Sequence, residues 1–219
     1  MIDPGFRYAH LHGLSSGSRS RKGLWLAARF AAAGVPLALP ELNVPSFAQL
    51  TLSGALAVLD DLDQPARAAR SRWRLSGSSM GGYLAALWAA ANPDRVERLV
   101  LLCPAFGLGD GLARRLGPDA VTRWRQEGSL SLAGPDGQPA SLHHQFLEDA
   151  RRHPPFPMVC CPTLILHGLQ DDVVPLQSSR EYAATDPRVR LVELPDDHLL
   201  LRSLPRIGEE LEGFYAGSE

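Results

Sequence analysis

The chain has 219 residues, of which 45% are hydrophobic and 21% are charged, and its formal net charge is −2. This length favours a single domain (residues 1–219) with a sizeable hydrophobic core. The near-neutral balance, with a pI of about 6.4, provides no global basic field and argues against a nucleic-acid partner.

The cysteines and the N-terminal residues indicate the cellular location of the protein. Cys103, Cys160 and Cys161 form no C-x-x-C pattern, which is typical of buried thiols in a reducing compartment. Residues 1–5 lack the features of a signal peptide, and no apolar run approaches the roughly 20 residues of a membrane span. We expect a soluble cytoplasmic protein without a membrane span, and the sequence predicts no particular oligomeric state.

Short apolar runs alternate with helical stretches along the chain. The predicted strands lie at residues 6–13 (running into a turn), 35–39, 72–75, 98–103, 162–168 and 188–194. The predicted helices outside residues 105–159 lie at residues 20–33, 47–62, 83–91, 177–184 and 207–215. This alternation predicts an α/β fold with a doubly wound, mostly parallel six-stranded sheet, whose last strand alternates like an edge strand.

Two early helices carry specific expectations. Ser46 is a candidate N-cap for the helix at 47–62. In the helix at 20–33, one apolar face is predicted from the spacing of Leu24, Ala27, Ala28 and Ala31.

The segment at about residues 105–159 interrupts the alternation. It is long for a connection and rich in glycine and proline, with predicted helices near residues 118–126 and 141–152. We expect a small cap insertion over the C-terminal edge of the sheet. The alternative is a disordered insertion, but Trp124, Leu142, Phe146 and Leu147 provide apolar surface that needs burial.

The sequence GSSMG at residues 77–81 lies between a predicted strand and a predicted helix. It matches G-x-S-x-G, in which a strained strand-to-helix turn lifts a serine above the sheet. Only Ser79 has glycine two residues away on both sides, since Ser78 would need glycine where Ser76 and Met80 stand. Ser79 is therefore the candidate nucleophile, and the alternative is a glycine- and serine-rich loop without chemistry.

Two polar loops downstream of Ser79 follow predicted strands. A serine hydroxyl needs an imidazole to take its proton and a carboxylate to orient that imidazole. The loop after the fifth strand supplies Asp171, and the loop after the last strand supplies His198, the only histidine that follows the acid. Because strand ends meet at one edge of an open α/β sheet, these side chains are expected to converge.

Other interpretations of these loops stay open. Asp172 competes with Asp171, although it could instead face solvent or cap the next turn. Asp196 and Asp197 are expected to be loop carboxylates, and His198 could be a surface histidine.

An oxyanion formed at Ser79 needs two N–H donors, for which Leu14 and Met80 are the candidates. Residues 18–22 (SRSRK) lie beside this loop, either as a patch for an acidic substrate group or, as we favour, as a capped and solvated helix start. Cys103 is expected to be a packing residue without a catalytic role. No metal-ligand spacing or phosphate loop is found, so no metal and no cofactor are expected.

With the GSSMG turn and the two loops in this order, the chain resembles the α/β-hydrolase superfamily over nearly its whole length. The first strand leads straight to His12-Gly13, without the antiparallel strands that commonly open that fold, so the chain is similar to the compact branch with small bacterial esterases. Residues 128–175 and 197–198 also look like depalmitoylase and acyl-glucuronide esterase relatives. The resemblance implies Ser79 as nucleophile, Asp171 as acid and His198 as base.

The expected function is hydrolysis of a small-molecule carboxylic ester or thioester through an acyl-enzyme. Trp124, Leu142 and Phe146 are expected to line its acyl pocket. The alternatives are a peptidase or acyltransferase of the same fold, and a catalytically idle ligand-binding protein, against which the intact Ser, Asp and His set argues.

Overall fold

The structure is a computed structural model that describes residues 2–217. Its strands are β1 (Arg7–Leu11), β2 (Leu37–Ala38), β3 (Trp73–Ser78), β4 (Val96–Leu102), β5 (Ser129–Ala133), β6 (Pro139–His143), β7 (Thr163–Gly168) and β8 (Val189–Leu194). The main sheet has the order β2-β1-β3-β4-β7-β8 with every pairing parallel, and β5 and β6 form an antiparallel hairpin. The predicted six-stranded sheet is confirmed, and β8 is an edge strand as expected.

Helices cover both faces of this sheet. They are α1 (Arg21–Ala32), α2 (Leu52–Ala68), α3 (Met80–Ala91), α4 (Leu108–Leu116), α5 (Pro118–Glu127), α6 (Gln145–Ala150), α7 (Leu176–Ala184) and α8 (Leu204–Ala216). Successive strand residues face opposite sides: Leu99 and Leu101 pack towards α2, α3 and α7, whereas Val100 and Leu102 pack towards α1 and α8. The sheet is therefore doubly wound, as the alternation of elements predicts.

Two details of the early helices differ from prediction. Ser46 precedes only a 3₁₀ turn (Phe47–Gln49) and makes no capping bond, whereas the Thr51 hydroxyl caps α2 by accepting from the Gly54 N–H at 3.0 Å. Serine and threonine both favour N-cap positions, so the local sequence does not show which of Ser46 and Thr51 caps the helix.

The predicted apolar face of α1 is also wrong. Gly23, Leu26 and Phe30 are buried, while Leu24 is 46% exposed. The three buried positions are spaced by three and four residues, so they too satisfy the helical period. The packing of α8 against α1 decides which face is covered.

The cap, residues 105–159, contains α4, α5, the β5–β6 hairpin and α6. The helix predicted near 118–126 is confirmed, but residues 141–143 belong to β6 rather than to a helix. Helix α4 was not predicted. The cap forms regular elements that pack against the rest of the fold, so the disordered alternative does not apply.

Over residues 2–217, every helix is too short or too polar to cross a membrane.

Candidate active site

Ser79 stands at the sharp turn between β3 and α3, with φ +54° and ψ −116°. The left-handed φ is strained for a residue with a side chain. The turn is possible because Gly77 and Gly81 lack Cβ atoms, which would collide with the backbone oxygens of Gly81 and Leu11 respectively. Ser79 lines the cleft described below, whereas the neighbouring Ser78 is buried. The structure thus places Ser79, not Ser78, where a substrate could reach it.

Asp171 and His198 meet at the same edge of the sheet. The Nδ1 atom of His198 lies 2.7 Å from Asp171 Oδ2. A carboxylate oxygen can only accept, so Nδ1 carries a proton and Nε2 is the nitrogen free to act as a base. Asp171 is fully buried and the His198 side chain is 14% exposed, so the imidazole lies between the carboxylate and the cleft.

Three further groups contact the Asp171 carboxylate, and one of them is itself held by a serine. Its Oδ1 accepts from the N–H groups of Val173 and Val174 at 2.9 and 2.8 Å. The Nε2–H of His167 lies 3.1 Å from its Oδ2, and the Nδ1 of His167 accepts from the Ser179 hydroxyl at 2.8 Å. Burial by itself would raise the pKa of Asp171, but the bonds from His167, His198 and Val174 outweigh it and hold that pKa well below its usual value. Asp171 is therefore ionised, as an orienting carboxylate must be.

The loop that carries His198 is held by the buried carboxylate of Asp196. This group accepts from the N–H of Ser203 at 2.8 Å and from the Nε of Arg202 at 3.1 Å. The loop also passes close to β7, because a Cβ at Gly168 would lie 2.5 Å from the Asp196 and Asp197 carbonyl oxygens. Asp196 and Asp197 are therefore structural loop carboxylates, as expected.

The loop after β1 borders the nucleophile. A Cβ at Gly13 would lie 3.3 Å from Ser78 O and from Ser79 Cβ, closer than Cβ atoms normally approach such neighbours, so glycine favours this approach. Leu14 lines the cleft beside Ser79. Met80 is the first residue of α3, so its N–H is one of those that lack a partner within the helix. Both candidate oxyanion donors thus lie next to Ser79.

One cleft of about 700 Å³ connects these groups. Ser79, Asp171 and His198 lie on its wall. Apolar and charged side chains from α4 and the neighbouring loops form the rest, chiefly Phe106, Leu108, Leu112, Arg114, Arg115, Val173 and Val174. The cleft is apolar near the middle of α4, and the two exposed arginines lie towards the end of that helix.

The expected acyl-pocket residues do not line this cleft. Trp124, Leu142 and Phe146 are all fully buried, and the Trp124 indole donates to the Leu142 carbonyl at 2.9 Å. They fill the core between the cap, α2 and the 3₁₀ turn. The helix that does form the wall, α4, was missed, although Leu108, Leu112 and Leu116 recur every four residues.

Residues 18–22 do not belong to the cleft wall. The Ser20 hydroxyl accepts from the Gly23 N–H at 3.2 Å, so the stretch starts α1 as a capped helix end. Lys22 is half-buried, and burial lowers the pKa of its amine, partly offset by the nearby charges of Asp171, Asp196 and Asp197.

Within residues 2–217, one group of potential metal ligands lies within 4.8 Å of one another, and it consists of Cys103, His167 and Asp171. The carboxylate and the imidazole are already engaged in the bonds given above. Burial, with the Asp171 charge, raises the pKa of the Cys103 thiol far above its usual value, which disfavours the thiolate a metal would need. The cluster fits a hydrogen-bonded support for Asp171 better than a metal site.

Comparison with known proteins agrees with this architecture. The model of a family described as "Uncharacterised protein family (UPF0227)" matches residues 7–210. The rat (Rattus norvegicus) protein named palmitoyl-protein thioesterase ABHD10, mitochondrial, is 28% identical over 177 residues, which cover 71% of this chain and 56% of that protein. The chain thus spans about half the length of the curated relatives it matches. The cytoplasmic location expected above stays a prediction.

Solved structures show the same fold. Est1E from Butyrivibrio proteoclasticus superimposes with a TM-score of 0.79 at 21% identity, covering 99% of this chain and 90% of that one. Alpha/beta hydrolase domain-containing protein 10 from mouse gives 0.76 at 20% identity, covering 97% and 90%. The expected α/β-hydrolase fold is confirmed.

Proposed function

The chain belongs to the UPF0227 family, and we propose that it is a serine hydrolase that cleaves a carboxylic ester or thioester through an acyl-enzyme. The observation that carries this proposal is the Asp171–His198 pair, 2.7 Å apart, on the same cleft as a serine held at a strained strand-to-helix turn. The name of the rat relative, palmitoyl-protein thioesterase, points in the same direction.

In this mechanism His198 Nε2 takes the proton of the Ser79 hydroxyl as the oxygen attacks the acyl carbonyl. Asp171 keeps the proton of His198 on Nδ1 and stabilises the imidazolium that forms. The N–H groups of Leu14 and Met80 receive the developing oxyanion. His198 then gives its proton to the leaving oxygen or sulfur, and water, activated by the same imidazole, releases the acid.

The cleft suggests which part of the substrate lies where. Phe106, Leu108, Leu112 and Val174 form a wall without charge beside Ser79, which suits an apolar acyl chain. The exposed Arg114 and Arg115 lie on the same helix as Leu108 and Leu112. The apolar side chains of α4 therefore favour a substrate whose acyl group contacts the cap.

The test compares two adjacent serines. Wild type, Ser79→Ala and Ser78→Ala are assayed with p-nitrophenyl esters and acyl thioesters and treated with a fluorescent fluorophosphonate. Ser79→Ala is expected to lose on the order of 10⁴-fold or more in kcat and all labelling. Ser78→Ala is expected to stay within a few-fold of wild type, because Ser78 is buried away from the cleft. Absence of turnover and of labelling in folded wild type would overturn the proposal.

A further inference from the structure

We propose that His12 is a positioning residue of the oxyanion hole: its Nδ1–H holds the Gly13–Leu14 peptide so that the Leu14 N–H points into the cleft. The inference rests on the proposed hydrolase function. It concerns a side chain that takes no part in the proton transfers and lies 2% exposed behind the loop after β1.

The peptide unit between Gly13 and Leu14 links the His12 ring to the cleft. His12 Nδ1 lies 2.9 Å from the Gly13 carbonyl oxygen, which can only accept, so Nδ1 carries a proton and donates. The Gly13 C=O and the Leu14 N–H belong to one planar trans peptide and point in opposite directions. Holding the carbonyl towards His12 therefore directs the N–H away from His12, and Leu14 lies on the cleft wall with Ser79.

Such a hold is needed because residue 13 is glycine. The close contact between this loop and the Ser79 turn disfavours a Cβ at position 13, which would lie 3.3 Å from Ser78 O and from Ser79 Cβ. Glycine, however, lets the adjoining peptide rotate more freely than any other residue does. The same close approach that brings a donor to the nucleophile thus removes the steric control of its direction, and the imidazole restores it.

The other side of the ring keeps His12 in this orientation. The Leu42 N–H lies 3.0 Å from Nε2 and can only donate, which assigns the neutral ring its lone pair on Nε2 and its proton on Nδ1. The Glu41 Oε1 atom is 3.1 Å from Nε2. Were Nε2 to take up a proton, that contact would become an ion pair, and Nδ1 would still donate to Gly13.

Glu41 also fixes the far end of the same loop. Its Oε2 accepts from the N–H and the hydroxyl of Ser18, each at 3.1 Å, and Asn43 donates to the Ser16 carbonyl at 2.8 Å. Burial would raise the pKa of Glu41, but the hydrogen bonds from Ser18 and Asn43 outweigh it and hold that pKa below its usual value. The loop is thus tied to the segment after β2 at both ends, by His12 at its start and by an ionised Glu41 at Ser18.

The experiment uses two substitutions of His12 by an amide side chain, each of which can retain one of the two hydrogen bonds of the imidazole. In His12→Asn the amide nitrogen can take the place of Nδ1 and donate to Gly13. In His12→Gln the longer side chain can replace Nε2 as the partner of Leu42 but leaves Gly13 O without a donor. Losing one oxyanion donor typically costs 10²–10³ in kcat, so loosening it in His12→Gln is expected to cost about 10- to 100-fold with KM within twofold. His12→Asn is expected to recover most of that loss.

A second readout isolates the oxyanion. A trifluoromethyl ketone forms a tetrahedral adduct with the serine, and this adduct carries an oxyanion. In His12→Gln the affinity for the ketone is expected to fall in proportion to kcat/KM. Titration with the fluorophosphonate gives the concentration of active protein, by which both values are corrected. Equal losses in both variants, or an unchanged ketone affinity in His12→Gln, would overturn the inference. If His12→Gln does not fold, Glu41→Gln takes its place, with a 3- to 10-fold loss of ketone affinity expected and no loss overturning it. Inactive wild type would overturn the proposed function instead.

Discussion

Two regions of the molecule meet at the cleft and are built differently. The site edge, meaning the loops that follow β1, β3, β7 and β8, presents polar groups that are held by several contacts. Asp171 accepts hydrogen bonds from two backbone N–H groups and from His198, and the His167 Nε2 lies 3.1 Å from its Oδ2. The cap contributes α4, which lines the cleft with two leucines and two arginines. Within residues 2–217 these side chains make no hydrogen bonds to the site edge.

The cap is anchored away from the cleft. Asp149 of α6 accepts from the N–H and the hydroxyl of Ser53 at 2.9 and 2.7 Å, and the Tyr83 hydroxyl donates to the Pro154 carbonyl at 2.8 Å. These bonds fasten the cap to α2 and α3 without involving the inner face of α4. Under the proposed function, the densely bonded edge carries out the reaction, and the α4 surface, which can change without disturbing that edge, sets substrate choice.

The largest expected effect comes from the edge. In Asp171→Asn the amide N–H can donate a hydrogen bond to His198 Nδ1. This favours the tautomer with its proton on Nε2, which cannot act as a base, so kcat/KM is expected to fall about 10⁴-fold. Asp172→Asn, one residue away, is expected to cost less than tenfold, because Asp172 is exposed and makes none of these bonds. Ester hydrolysis by both variants checks this, and comparable losses would remove the distinction between the two carboxylates.

Strand β1, which leads into the site edge, is expected to make the fold sensitive to acid. Burial, with Lys22 and His12 nearby, lowers the pKa of His10 from 6.5 to about 3. Between these values the unfolded chain binds a proton that the folded chain does not, so stability falls as the pH falls. From pH 6.5 to 4.5 His10 alone should remove about 2 kcal/mol from the free energy of unfolding.

Urea unfolding at several pH values measures that loss. In His10→Asn, the decline of stability over this interval is expected to be smaller than in wild type by about the same 2 kcal/mol. His143→Asn is the control, since His143 is exposed in the cap hairpin and should leave the decline unchanged. A wild-type decline retained in full by His10→Asn would contradict the prediction.

The smallest effect is expected in the cap. Leu112→Ala removes apolar contact with a bound acyl chain, and should lower kcat/KM for long-chain esters relative to acetate by about tenfold, as removing methylene contacts does. Leu132→Ala, in the hairpin and away from the cleft, is expected to lower stability without altering chain-length preference. A preference that moves with Leu132 and not with Leu112 would place substrate choice in another part of the cap.

Much of the fold and the position of the candidate site could be predicted from the sequence. The apolar runs of the strands are local, and the alternation of strands and helices allows few topologies. The glycines around Ser79 answer a steric demand within a few residues, and the loops with Asp171 and His198 follow strands whose ends must share an edge. These inferences depend on short-range geometry, which is set by residues that are neighbours in the sequence.

What tertiary structure decided is which long-range neighbour each residue meets. Burial of Trp124, Leu142 and Phe146 follows from their hydrophobicity, yet only packing places them against α2 rather than in the cleft.

Helix α4 contains Gly109 and Gly111, which disfavour a helix locally. Gly109, however, lets α4 lie close to α6, where a Cβ would approach the Arg151 backbone to 3.1 Å. The bonds of His12 and Glu41 join residues about 30 positions apart. The sequence by itself determined the candidate residues Ser79, Asp171 and His198, because local geometry selects them. Tertiary structure determined their supports and the cleft wall, because those contacts form only on folding.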